Sequence, residues 1–194
     1  MTQAPEAGAA DWASNRSDQA SREDLRKRLA DELVKATKEL TAVEPLRDRV
    51  LDMTLDDAYQ IQDLQLQHHL ADNDKLAGRK VGLTSIAMQK QLGVDSPDFG
   101  YFLEDMVYQE NAEIPADSFI APKVEPEFGF VLKETLTGPG VTREQAVAAI
   151  GDVYPLLKLL IPESRTGTFI WSTPWLIMLL AVRLLLVRPH LMFK

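Results

Sequence analysis

Residues 121–132 read A-P-K-V-E-P-E-F-G-F-V-L, and few backbone arrangements suit that order. Extended backbone sends successive side chains to opposite faces, so Val124, Pro126 and Phe128 share one face while Lys123, Glu125 and Glu127 share the other. Two carboxylates two positions apart then project the same way, and like charges held that close repel. An edge strand with a solvated acidic face relieves the repulsion with water. A hard divalent cation, Mg²⁺ or Mn²⁺, relieves it with charge, which makes Glu125 and Glu127 candidate metal ligands.

The chain has 194 residues, long enough for one domain with a substantial core. Its net charge of -8 and pI near 4.9 argue against nucleic acid or an anionic membrane surface as the main partner. It has no cysteine and therefore no need of an oxidising compartment. The first residues lack the apolar core of a signal peptide, so a cytoplasmic location is expected.

Taken in order, residues 1–21 are rich in Ala, Ser, Asp and Gln and are expected to form a disordered arm. From Arg22 to Leu40, Leu25, Leu29, Leu33, Ala36 and Leu40 recur at helical spacing, with Ser21 as the expected cap. Pro45 breaks this helix, and Thr54 with Asp57 opens a second one running to about Leu70. His68 and His69 lie near its end, pointing about 100° apart, too divergent to share one ligand. Residues 76–83 read as a strand, and Thr84 or Ser85 caps a short helix that Gly93 ends. D-S-P-D-F-G at 95–100 has the chemistry of a turn, which accounts for every residue except the acidity of Asp98. Short strands are expected at 102–108 and 112–114, and a helix capped by Thr142 with Gln145 over 143–150.

Three stretches in this order, G-R-K-V-G-L-T-S at 78–85, L-G-V-D-S-P-D-F-G at 92–100 and P-K-V-E-P-E at 122–127, resemble the hydratase/decarboxylase branch of the fumarylacetoacetate hydrolase superfamily. That branch comprises the 2-hydroxypenta-2,4-dienoate (2-keto-4-pentenoate) hydratases and the 4-oxalocrotonate decarboxylases. The resemblance runs from about Leu25 to Tyr154. It implies an α+β fold: N-terminal helices followed by a mixed β-roll, here incomplete at the C-terminal end. It also implies a metal-dependent lyase of meta-cleavage aromatic catabolism that hydrates 2-hydroxypenta-2,4-dienoate to 4-hydroxy-2-oxopentanoate, with 4-oxalocrotonate decarboxylation as the alternative. The implied roles are metal binding for Glu125 and Glu127, a substrate-facing or proton-transferring ammonium for Lys80, a substrate contact for Leu83, and a polar site role for Asp98. The implied partner is a small 2-oxo or 2-hydroxy-dienoate. A homo-oligomer or a complex with a pathway enzyme stays open.

The resemblance stops after Tyr154. Related chains continue with a strand reading approximately Glu-Ile-Ile-Asp-Ser-Arg, whose Glu supplies a third metal carboxylate, whereas residues 155–165 here read P-L-L-K-L-L-I-P-E-S-R. Codons chosen for 157–162 can spell Glu-Ile-Ile-Asp-Ser one nucleotide earlier, so residues 156–194 are expected to be an out-of-frame tail without a reliable fold. Lys158 falls near the lost Glu, where it would repel a cation, and Glu163 is displaced in register. The chain would then be impaired, or an inactive remnant. A membrane anchor at 175–187 is the rival reading, interrupted by Arg183 and shorter than the roughly 20 apolar residues of a span.

Overall fold

A computed structural model of the chain describes residues 9–119, 122–161 and 181–186. Helix α1 spans Ala9–Lys38, α2 Leu46–Arg49 and α3 Leu55–Ala71. Strand β1 (Leu76–Gly82), the short helix α4 (Ile86–Leu92) and β2 (Asp98–Leu103) follow. Then come β3 (Val107–Tyr108), β4 (Lys123–Leu132), α5 (Arg143–Ala149), β5 (Ile150–Ile161) and β6 (Ala181–Leu186).

α1 buries Leu29, Ala30 and Leu33 against Leu46 of α2 and Ile61 of α3, with Leu25, Val43, Val50, Met53 and Leu64 packed around them. The helix begins at Ala9 rather than at Arg22, so the stretch expected as an arm is helical from Ala9 onward; alanines at 9, 10, 13 and 20 lower the cost of extending it. Leu40 lies beyond the helix end at a φ of 51° and is exposed. α3 begins with a reciprocal capping box between Thr54 and Asp57. The Asp57 carboxylate also accepts from Arg22 at 2.5 Å and from Arg26 at 2.8 Å, and so ties α3 to α1. His68 pairs with Asp31 and His69 with Asp74, on separate partners as the helical geometry requires.

The opposite side of α3 carries Leu66 to a second cluster with Leu103 and Met106, against which Tyr101 and Phe102 pack. α3 thereby supports β2. β1 and β2 form an antiparallel ribbon, and the other strands form a mixed sheet in the order β3-β6-β5-β4, with β3 and β6 parallel. Three sequence expectations change: a turn of 3-10 helix at Glu104–Met106 splits the strand expected at 102–108. Asp98 is the first residue of β2 rather than part of the turn, because it pairs with Gly82 in the ribbon. Residues 112–114 form no strand.

β4 stands at the edge of its sheet, where Pro126 has no need of a ladder N–H. It pairs with β5 along its whole length, setting Glu125 opposite Lys158. The expected tail therefore contributes ordered structure at two places: residues 156–161 continue β5, and β6 pairs with β5 from Ala181 to Leu186. The reason lies in composition, since the run Leu156, Leu157, Leu159, Leu160 and Ile161 suits a strand with neighbours on both sides. Glu163 and most of the apolar run at 175–187 lie outside the described residues. Among the described residues no helix is long and apolar enough to cross a membrane.

Asp57 offers a test of this frame. Its carboxyl sits well below the ordinary aspartate value of 3.8, chiefly through the Arg22 hydrogen bond, with Thr54 and Arg26 adding to it against the cost of burial. A depressed carboxyl stabilises the fold above its unfolded value and loses that contribution as pH falls toward the folded one. Asp57→Ala should cost about 2–4 kcal/mol in urea denaturation near neutral pH. The deficit should shrink as the medium is acidified below pH 3.8. A deficit independent of pH would contradict the assignment.

Candidate active site

The β1–β2 register places Lys80 opposite Gly100 and Asp98 opposite Gly82. The two charged side chains are thus diagonal neighbours on one face of the ribbon, and each lies over the glycine of the facing strand. A Cβ at Gly100 would meet Lys80 Cε at 2.5 Å, and one at Gly82 would strike the Asp98 carboxylate. The glycines in G-R-K-V-G and D-F-G leave room for an ion pair. Lys80 Nζ donates to Asp98 Oδ2, and the two side chains are only 7% and 4% exposed.

Burial pulls the Lys80 ammonium below the ordinary lysine value; Asp98 and Glu125 oppose that pull, while the charge of Lys158 reinforces it. Asp98 Oδ1 is buried with no hydrogen-bond partner among the described residues. α3 closes the back of the pair. Tyr59 is half-buried there, its phenol pushed up by burial and by the Asp98 charge while a hydrogen bond with the Phe99 backbone counteracts, and Gln62 Nε2 donates to the Phe99 carbonyl at 3.4 Å. The sequence carries no sign of this position for Tyr59, because its proximity to Asp98 depends on how α3 packs on β2. Leu83 follows β1 at a φ of 52°, and its carbonyl accepts from Gln89 Nε2 at 2.6 Å.

The second half of the site is on β4 and β5. Glu125 and Glu127 are partly exposed and share a face of β4, while Val124, Phe128 and Phe130 are exposed on the other. Between the carboxylates lies Lys158, with Nζ 3.0 Å from Glu125 Oε2 and 2.6 Å from Glu127 Oε1. Burial works against its charge, but the bonds to Glu127 and Glu125 outweigh that and raise it above the ordinary lysine value. Expected from sequence to lie near the acidic pair, Lys158 in fact bridges it.

A divalent ion of the Mg²⁺ type needs about six oxygen ligands, mostly carboxylates and water. Among the described residues no group of three or more His, Asp or Glu is placed to hold one. Among the described residues, two carboxylates already bridged by an ammonium do not fit such an ion.

Comparison with known proteins gives this arrangement its context. No family model matches the chain. A 2-hydroxypent-2,4-dienoate hydratase of Pseudomonas putida is 40% identical over 132 residues, which are 68% of this chain and 60% of that protein. A 2-keto-4-pentenoate hydratase of Paraburkholderia xenovorans LB400 is 40% identical over 134 residues, 69% of this chain and 50% of that protein. About two thirds of this chain is similar in sequence to proteins named as 2-keto-4-pentenoate or 2-hydroxypent-2,4-dienoate hydratases. The chain spans only half to three fifths of the length of these curated relatives. Among solved structures, the 4-oxalocrotonate decarboxylase of Pseudomonas putida G7, complexed with magnesium and adipate, superposes with a TM-score of 0.78 at 25% identity, over 85% of this chain and 63% of that one. Helices combined with sheets are common to both.

The buried ion pair makes a direct prediction. Lys80→Met strands a buried carboxylate and should cost about 3–5 kcal/mol of unfolding free energy. The double variant Lys80→Met, Asp98→Leu should recover most of that loss in the same denaturation experiment. A loss in the double variant equal to the sum of the losses in Lys80→Met and Asp98→Leu alone would mean that the pair contributes no coupling.

Proposed function

We propose that this chain is a hydro-lyase of the 2-keto-4-pentenoate hydratase type, acting on 2-hydroxypenta-2,4-dienoate and impaired by the change at Lys158. The observation that carries the reading is the buried Lys80–Asp98 pair, with one aspartate oxygen left unpartnered among the described residues beside the acidic face of β4. A buried acceptor without a donor is costly, and a substrate hydroxyl can supply the missing bond. The homology to named hydratases supports the substrate class.

On this reading Lys80 pairs with the substrate carboxylate, and Asp98 Oδ1 accepts the proton of the C2 hydroxyl. Loss of that proton and gain of one at C5 converts the dienol into a 2-oxo acid with its double bond between C3 and C4. Water then adds its oxygen at C4 and a proton at C3, giving 4-hydroxy-2-oxopentanoate. Leu83 borders the substrate at the exit of β1, and the sheets complete a β-roll of the fumarylacetoacetate hydrolase type. The location proposed is cytoplasmic, and the metal of the intact site is Mg²⁺ or Mn²⁺, bound by Glu125 and Glu127 with a third carboxylate.

Two other readings each rest on an observation. Decarboxylation of 4-oxalocrotonate is favoured by the structural likeness to a decarboxylase. An inactive remnant, its tail read out of frame, is favoured by the ammonium seated between the carboxylates. Assaying loss of 2-hydroxypenta-2,4-dienoate and release of CO₂ from 4-oxalocrotonate, each with and without Mg²⁺, separates the three. The expected result is slow hydration without Mg²⁺ stimulation, abolished by Asp98→Asn, and rapid Mg²⁺-dependent hydration once the reading frame is repaired. CO₂ release exceeding hydration in the repaired protein would establish the decarboxylase, and no turnover in either form would overturn both enzymatic readings.

A further inference from the structure

β4 presents Glu125 and Glu127 at adjacent same-face positions, and the β4–β5 register delivers one side chain of β5 between them. That side chain is Lys158, with Glu125 as its cross-strand neighbour and Glu127 on the diagonal, 2.6 Å from its ammonium. It is buried, at 7% exposure, whereas both carboxylates stay partly open to water. An ammonium is a compact cation that donates three hydrogen bonds, so it bridges both carboxylates from one point, balancing one of their two charges.

We infer that Lys158 is the resident cation of this site: a covalently attached replacement for the divalent ion, which holds the acidic face of β4 together and excludes metal. Three features of the geometry support it. Both carboxylates are engaged at bonding distance, so a metal would have to displace the ammonium first. The displaced charge would remain tethered to β5 within a few ångströms of the incoming ion, and at that distance repulsion between cations is strong. The strand pairing also accommodates the ammonium, because the backbone register of β4 with β5 continues on either side of Lys158. The acidic pair therefore works as a structural clamp between two strands and no longer as an open metal site. The inference rests on the proposed function only for the kind of ion displaced; the clamp itself stands on the distances.

The test measures binding and thermal stability of the full chain, not turnover, so that its failure is separate from failure of the hydratase reading. The wild-type chain should show no rise in melting temperature and no calorimetric heat of binding in millimolar MgCl₂. Lys158→Glu, which supplies a third carboxylate in the same register, should bind Mg²⁺ at least about a hundredfold more tightly than the wild type. Lys158→Met should lower the melting temperature without metal, and adding Glu125→Gln and Glu127→Gln to it should restore most of the loss by removing the uncompensated charges. Micromolar Mg²⁺ binding by the wild type would overturn the inference, as would a Lys158→Met chain of unchanged stability. Should Lys158→Glu fail to fold without metal, refolding in MgCl₂ decides: recovery of the fold supports the inference, and no recovery overturns it.

Discussion

Two carboxylates projecting from one face of a strand repel unless water or positive charge relieves them, and in this chain a positive charge comes from the neighbouring strand. Lys158 Nζ reaches Glu125 and Glu127 because β5 runs antiparallel to β4 in a register that sets it opposite the first of them. A one-residue slip would turn Lys158 to the other face and leave the acidic pair without its counter-charge. The clamp and the β4–β5 register are therefore mutually consistent.

The ribbon β1–β2 solves a related problem with the opposite balance. Lys80 and Asp98 are both deeply buried, and the cost of desolvating them is offset by their mutual hydrogen bond and by the glycines that let each side chain lie flat across the facing strand. The two halves are electrostatically connected, since Glu125 favours the charge on Lys80 and Lys158 disfavours it. Asp98 Oδ1 is left buried and faces no donor among the described residues. In this protein a buried ammonium–carboxylate pair lies beside an acidic face that a second ammonium bridges.

Much of the frame was legible from sequence for identifiable reasons. The capping boxes at Thr54 and Thr142, the glycine at 93 and the alternation along β4 are local signals, and each marks an element where the structure has one. The placement of Asp98 was not legible as strand, because S-P-D-F-G carries strong turn chemistry and only pairing with Gly82 overrides it. Nor could sequence show that Arg22 and Arg26 converge on Asp57 or that Tyr59 backs Asp98, since both depend on packing between distant segments. The segment after Tyr154 was expected to lack a reliable fold because it departs from the family pattern. A leucine-rich run needs only an adjacent strand to become one, and β4 provides it.

The most direct test of the central claim is a crystal structure of the full chain grown in excess MnCl₂, with data collected at the manganese edge. The account predicts no anomalous peak between Glu125 and Glu127, and density for the Lys158 ammonium within hydrogen-bonding distance of both. A manganese peak at coordination distance from the two carboxylates, with Lys158 turned away, would contradict it.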